Sequence, residues 1–515
     1  MRTGPVAAAF AALLLSSAAQ AGLFDSNGYP SQGRAIDALK PAADYSKELQ
    51  GRPLALGIMR TRGQGFVPSP ELRTYAQGVV DRLMAGVKMP SSFQPQVRIL
   101  ATPEFAGECT PDGTLIVTVG LLEMLESEDE LAFVLGHELA HAIYRHKQHD
   151  WFKKAQYYAV VNGGAIDFVA QGNVQISLGG STNLARGLDV AQHLAKLSAN
   201  VLMPQMAKED EDAADALGFD LMVKAGYDPE APLAVMDKLA AQEAEAEADA
   251  AAAKEAADRN AGNGGGKGGF MTMVGGGLSI AGEIAGGGRP DTGQVADLAI
   301  SVFDAAVDNM AQDATTHHPA KERADLLSAY LYRAYRNAGP VAPTPLPWAP
   351  NSTSPLKPKL VAMLSHYTEA ENAAAWIADP AQGTEKGAGA EVARAIAPPT
   401  VDHAYTDFVA AEYYQGRRQD RLSLAALKRA ADGPEPSWEI YTRLIDLYIG
   451  VNDFKDAQAA MDMAVARFED SPVLLPKRIQ LLHLQGRDGE AQALLPRCKS
   501  YDIDELTAAC KKEAG

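Results

Sequence analysis

Between Ser69 and Val87 the apolar residues Leu72, Tyr75, Val79, Val80, Leu83 and Met84 fall at intervals that gather them on one face of a helix. The period then shortens. Val97, Ile99 and Ala101 alternate with other residues across Gln96 to Ala101, as in a strand with one buried face. A second β-branched run, Gly113 to Val119, follows the turn residues Pro111-Asp112-Gly113. Ser127 and Glu130 then have capping-box spacing, and Glu128, Asp129 and Glu130 put negative charge at the positive end of the helix dipole. The helix so opened runs to about His146. Another begins after Met203 and stops at Gly226, ahead of Tyr227-Asp228-Pro229. Pro232 to Ala256 continues as alanine- and charge-rich helix. A helix, two or three strands and then more helices predict an α+β fold, mainly helical with a small sheet.

The two ends read differently. Arg2, the apolar run Val6 to Leu15 and the small-x-small triplet Ala19-Gln20-Ala21 have the form of a signal peptide over residues 1–21. The run is too short to span a bilayer, which needs about 20 apolar residues, so no transmembrane segment is expected in the mature chain and its location should be periplasmic or secreted. Residues 22–68 form an N-terminal extension and 69–338 the first large unit, with a glycine-rich insertion near 260–288. Residues 339–400 read as a proline-rich linker with helices. Over residues 401–515 a step of 34 aligns Tyr414, Tyr448 and Leu482, then Leu427, Met461 and Leu495, and then Ala430, Ala464 and Cys498. That step belongs to tetratricopeptide-like helix pairs, so an α-helical repeat domain should follow the first unit.

Composition narrows the partners. The 515 residues hold 47 Lys and Arg against 65 Asp and Glu, a net charge of −18, and no basic block is interleaved with aromatics. Nucleic acid is therefore excluded as an expected partner. Cys498 and Cys510 are close enough in sequence to bridge two packed helices, or to remain two thiols, while Cys109 has no cysteine near it in sequence.

The chemistry lies in Gly136 to His141, G-H-E-L-A-H. On a helix the i,i+4 spacing of His137 and His141 points both imidazoles at one ion, and Glu138 can take a proton from a water activated there. Hydrolytic zinc wants a third protein ligand and an open position. Lys147 occupies the spacing where a third histidine would follow, so a carboxylate is the better candidate. Glu211 and Asp215 form an i,i+4 acidic pair on the next helix, one able to bind zinc and the other to orient a histidine ring. Spacing alone leaves Glu209, Glu211 and Asp212 open as the ligand.

These segments resemble the M48 family of zinc metallopeptidases. The resemblance is carried by Gly113-Thr114-Leu115, by E-D-E-L-A-F-V-L-G-H-E-L-A-H from Glu128 to His141, by Glu211-x-x-x-Asp215, by Gly226-Tyr227-Asp228-Pro229 and by His317-His318-Pro319 with Arg323. It implies a zincin-type domain in which His137, His141 and Glu211 bind zinc, Glu138 is the general base and Asp215 orients a ligand. Glu209 and Asp212 then become ordinary helix-start charge. The family suggests His318, or its neighbour His317, as a lid ligand over the metal, and Arg323 as a candidate for stabilising transition-state charge. Where the family carries a Pro-Gly-Gly turn, Ala106 to Gly113 here reads A-G-E-C-T-P-D-G, which puts Cys109 beside the site.

With the signal peptide and the repeats, the chain resembles periplasmic β-barrel assembly-enhancing proteases. That implies a zinc endopeptidase acting on unfolded or misassembled cell-envelope proteins, with the outer-membrane protein assembly machinery as a partner of the repeats. The alternative is a periplasmic chaperone or adaptor whose proteolysis is secondary.

Overall fold

The computed structural model describes residues 28–52, 56, 65–101, 105–146, 208–244, 318–339, 341–378, 384–397, 403–468, 471–501 and 504–514. The signal-peptide segment, the glycine-rich insertion and His317 lie outside the described residues. Two short helices, α1 (Ala35–Ala38) and α2 (Ser46–Gln50), lead to α3 (Pro70–Met84). Ser69 caps α3 by accepting from Leu72 N at 3.3 Å, with Pro70 pre-set at its first position. Strands β1 (Gln96–Leu100), β2 (Gly107–Cys109) and β3 (Thr114–Thr118) follow, then α4 (Val119–Met124), α5 (Glu128–Tyr144), α6 (Lys208–Lys224), α7 (231–244) and α8 (Ala320–Tyr335).

The three strands have the order β1-β3-β2, β1 parallel and β2 antiparallel to β3. All five residues of β3 are buried, as a central strand requires. The expected α+β character holds. The sheet contains β2, a strand of three residues that hydrophobic alternation did not mark.

Helix α5 is the centre of the unit. Sixteen consecutive residues, Glu128 to Ile143, are buried, so the helix passes through the core. Its first turn, expected to complement the helix dipole, also serves as an anchor. Glu128 accepts from Arg82 Nη1 at 2.6 Å and Tyr227 Oη at 3.0 Å, and Asp129 accepts from Asp228 N at 2.8 Å and Thr344 N at 2.7 Å. Ser127 caps the helix through Glu130 N at 3.2 Å, while Glu130 reaches back to Glu126 N at 2.9 Å, one residue beyond a standard capping box. At the other end Arg145 adopts the left-handed conformation, with φ 62°, and turns His146 back beneath the helix.

The proline-rich tract does not behave as a free linker. Thr344 and Pro345 bond to the start of α5, Leu346 is fully buried, and Trp348 Nε1 donates to Leu122 O at 3.0 Å. Helix pairs begin directly after it, with α9 (Lys357–Ala378) and α10 (Glu385–Ala395), before the predicted boundary at 401. Three more pairs follow: α11 (Ala404–Gly416) with α12 (Asp420–Asp432), α13 (Trp438–Gly450) with α14 (Phe454–Arg467), and α15 (Leu475–Leu484) with α16 (Asp488–Ser500). The second helices start at residues 420, 454 and 488, so the step of 34 in sequence is a step of one hairpin in space. A last helix, α17 (Asp504–Glu513), closes the end, fastened by the disulfide Cys498–Cys510.

One hydrophobic core runs from Tyr29 through the sheet and α5 to Leu481 in the hairpins. Its continuity follows from docking at several points. Lys359 pairs with Glu71, Thr368 Oγ1 donates to Glu123, and at Gly65 a side chain would meet Glu435 O at 2.8 Å. Trp348→Ala should therefore destabilise the α+β unit and the first hairpin together, by about 3–5 kcal/mol, through lost burial and an orphaned Leu122 carbonyl. Denaturant unfolding monitored separately in α5 and α9 checks this, and two well-separated transitions in the wild-type chain would contradict it.

Candidate metal centre

Helices α5 and α6 touch through their backbones at glycines. A Cβ on Gly136 would lie 2.9 Å from Gly218 O, and one on Gly218 would lie 2.6 Å from His137 N. No other residue permits that approach. It sets the separation of the two helices at the residue next to His137 on one side and two turns from Glu211 on the other. Twelve consecutive residues of α6, Glu211 to Met222, are buried as a result.

Across this contact the predicted ligands converge. His137 Nε2 and His141 Nε2 are 3.0 Å apart, and the Glu211 carboxylate lies 3.4 Å from the first and 3.3 Å from the second. Among the described residues this is the one group of three His, Cys, Asp or Glu side chains whose donor atoms all lie within 4.8 Å of one another. Zinc bonds of about 2.0–2.1 Å in a tetrahedral shell place neighbouring donors roughly 3.3 Å apart, so the spacing fits zinc. Glu209 is not in the group. Cys109, buried on β2, is not in it either.

His137 Nδ1 stands 2.9 Å from Asp215 Oδ1, and Arg323 grips Asp215 with both arms, Nε to Oδ2 at 2.9 Å and Nη2 to Oδ1 at 2.7 Å. Burial opposes a charge on His137, but the Asp215 and Glu211 carboxylates outweigh it and lift its pKa to about 10 in the metal-free chain. Burial likewise opposes charge on Asp215, and Arg323 with His137 overcomes it, holding the carboxyl below its usual range. His141 has no such carboxylate behind it, and burial lowers its pKa. Its Nδ1 faces His146 Nδ1 at 2.9 Å. His146 was passed over in sequence because it sits off ligand spacing; only the left-handed turn at Arg145 brings it there.

Two residues sit otherwise than expected. Arg323 commits its fork to Asp215, with Nη2 also 3.9 Å from Glu211 Oε2, so in this structure it holds the carboxylate beside His137. His318 is not at the metal group: its Nε2 is 3.4 Å from Asp212 Oδ2 and its Nδ1 is 2.9 Å from Glu322 Oε1. Asp212 is accordingly not a solvated helix-start charge. It is fully buried, and burial pushes it up to about 7 even beside His318.

Glu138 follows His137 on the same helix, with Oε2 buried and lacking a hydrogen-bond partner in the protein. Strand β2 runs beside it. A side chain at Gly107 would meet Val134 Cγ1 at 3.1 Å and Glu138 Oε1 at 3.3 Å, so the absence of one lets the strand lie against the carboxylate. β2 pairs antiparallel with β3, with Gly107 opposite Val117 and Cys109 opposite Leu115.

Gly218→Ala separates the geometric role of the glycine contact from helix propensity. Alanine in a helix interior is favoured over glycine by about 1 kcal/mol, yet here it should drive the helices apart and lower zinc affinity at least 10-fold. Chelator competition checks this, and a more stable variant with unchanged affinity would show that the contact does not set the site.

The comparisons agree with this geometry. Residues 70–330, half of the chain, match peptidase family M48. The mitochondrial metalloendopeptidase OMA1 of Schizosaccharomyces pombe is 28% identical over 191 residues, which cover 36% of this chain and 50% of that protein. OMA1 of Arabidopsis thaliana is 28% identical over 151 residues, covering 29% of this chain and 27% of that protein. The chain thus spans half or less of the length of these curated relatives. With a His-His-Glu group on two helices that touch at glycines, inside the matched segment, the chain belongs to peptidase family M48.

Proposed function

We propose that the protein is a zinc endopeptidase that cuts unfolded or misassembled proteins of the cell envelope. The observation that carries the reading is the convergence of His137, His141 and Glu211 within 4.8 Å, with the unpartnered oxygen of Glu138 on the same helix. Bound zinc supplies Lewis acidity toward a carbonyl and a water. Glu138 takes a proton from the attacking water as its oxygen bonds to the carbonyl carbon, then passes that proton to the nitrogen as the C–N bond breaks. Asp215, held by Arg323 and 2.9 Å from His137 Nδ1, would orient that ring so that Nε2 is free to bind the metal.

The helix pairs stepping by 34 residues support a tetratricopeptide-like surface for substrates or for a partner such as the outer-membrane protein assembly machinery. A periplasmic or secreted location is supported by the signal-peptide pattern of residues 1–21 and by the Cys498–Cys510 disulfide, which persists in oxidising compartments. The relatives named above are mitochondrial, so the location is carried by this chain's own features. A chaperone or adaptor role for the hairpins is the second reading, favoured by the core they share with the catalytic unit.

Glu138→Gln should keep stoichiometric zinc and lower turnover of an unfolded substrate by about 10²–10⁴-fold, whereas Glu211→Gln should lose the metal. Asp215→Asn should cost about 10–100-fold in affinity or activity. Metal analysis with a proteolysis assay checks all three, and Glu138→Gln that fully rescues a deletion strain would favour the chaperone reading.

A further inference from the structure

The chain ahead of the matched segment contacts both helices of the metal centre. At its start, Gly28 has φ +75°, and a Cβ there would lie 2.4 Å from Glu209 O and 2.7 Å from Asp212 Cβ. These two residues flank Glu211 on α6. Tyr29 follows, buried, with its ring 5.4 Å from that of Tyr330 on α8. Further along, Ile36 N donates to Asp220 Oδ2 at 2.8 Å near the other end of α6, and Ala35 N to Tyr330 Oη at 2.9 Å. The segment then crosses to the end of α5, where Tyr45 Oη donates to Ile143 O at 2.7 Å, two residues past His141. Arg145, whose left-handed turn positions His146, lies over the Tyr45 ring at 4.5 Å, 3.3 Å from Glu48 Oε2 and bonded to Asp44 O.

We propose that residues 28–48 are a brace for the metal centre, with Gly28 and Tyr45 as positioning residues that hold the first turn of α6 and the last turn of α5 at the separation three-ligand binding requires. The inference rests on the zinc reading and adds a dependence that the matched segment, residues 70–330, does not contain. Tyr227 and Asp228, just past α6, already tie its far end to the start of α5, and the glycine contact fixes the crossing. Residues 28–48 add contacts at the first turn of α6 and the last turn of α5, the two turns nearest Glu211 and His141, where a small displacement changes the ligand separation most.

The strap supplies its own control. Gly33 also has a positive φ, +71°, but nothing lies within 4 Å of a Cβ placed there. Gly33→Ala therefore carries backbone strain without contact, and Gly28→Ala carries both. Zinc affinity of the full chain, measured by competition with a chromophoric chelator, should fall about 10–100-fold in Gly28→Ala and stay within a factor of about two in Gly33→Ala. Tyr45→Phe, which loses one hydrogen bond, should fall several-fold, and the metal-free melting temperatures of all three should shift together and slightly. The brace is refuted if Gly28→Ala and Tyr45→Phe bind zinc as the wild type does, or if Gly33→Ala loses as much as Gly28→Ala. It is equally refuted if lost affinity in every variant tracks a lower metal-free melting temperature, since that is general destabilisation. A wild-type chain that fails to bind zinc overturns the metal reading instead.

Discussion

The site depends on one close approach, the backbone contact of Gly136 with Gly218. Helices usually pack 8–10 Å apart, with side chains filling the space between axes. Removing both side chains at the crossing point lets α5 and α6 approach until His137 N is within reach of a Gly218 Cβ. Only at that separation can histidines from one helix and a carboxylate from the other share a shell whose donors are 3.0–3.4 Å apart. Burial of both helices follows from the same contact, and burial decides how every charged group around the site behaves.

Those charges are arranged so that few stand alone. Glu128 and Asp129, buried at the start of α5, are met by Arg82, Tyr227 and backbone N–H groups from two other segments, which fixes the helix at its entry. Asp220 has hydroxyls from Tyr330 and Tyr335 and the amide of Ile36 but, among the described residues, no cation bonded to it, and burial pushes it up to about 6. A buried ion pair gains little net stability while its loss costs several kcal/mol, so such pairs determine which arrangement forms more than how stable it is. The Arg323–Asp215 fork has this character: it ties α8 to α6 and selects the His137 tautomer.

Much of this was legible where local chemistry and helical period coincide. His137, Glu138 and His141 share one turn and a bit of a single helix, so spacing carried them, whereas Glu211 was singled out from Glu209 and Asp212 only by the family resemblance. Features that pair residues distant in the chain were not legible in this way. The Arg323–Asp215 fork joins positions 108 residues apart, and nothing local distinguishes a guanidinium reaching a substrate from one reaching an aspartate. His146 needs a non-glycine residue in the left-handed region, which no composition rule predicts at an arginine. β2 is three residues with a glycine and a glutamate, too short for a period of two to register. The proline-rich tract misled because proline marks both flexible boundaries and extended segments; Leu346 and Trp348, the apolar residues between the prolines, are what bury it.

The net charge of the inner site gives a last physical reason for the identity of the ion. Three carboxylates, Glu138, Glu211 and Asp215, lie on the two helices around neutral imidazoles, and Arg323 supplies one positive charge against them. Asp212, which burial pushes up to about 7, lies beside His318 and outside the ligand group. Three negative charges less one positive leave two, in a region where burial makes uncompensated charge expensive. A monovalent cation would leave half of that deficit, and a trivalent one would overshoot it. A divalent ion with borderline-soft affinity for two imidazoles and one carboxylate balances it, which is the description of zinc. In the metal-free chain half of that deficit is met by a proton on His137, the one imidazole whose pKa the carboxylates raise, to about 10. Metal and proton therefore compete for the same nitrogen, and the Asp215 carboxylate that raises the basicity of His137 also strengthens it as a ligand once the proton has left.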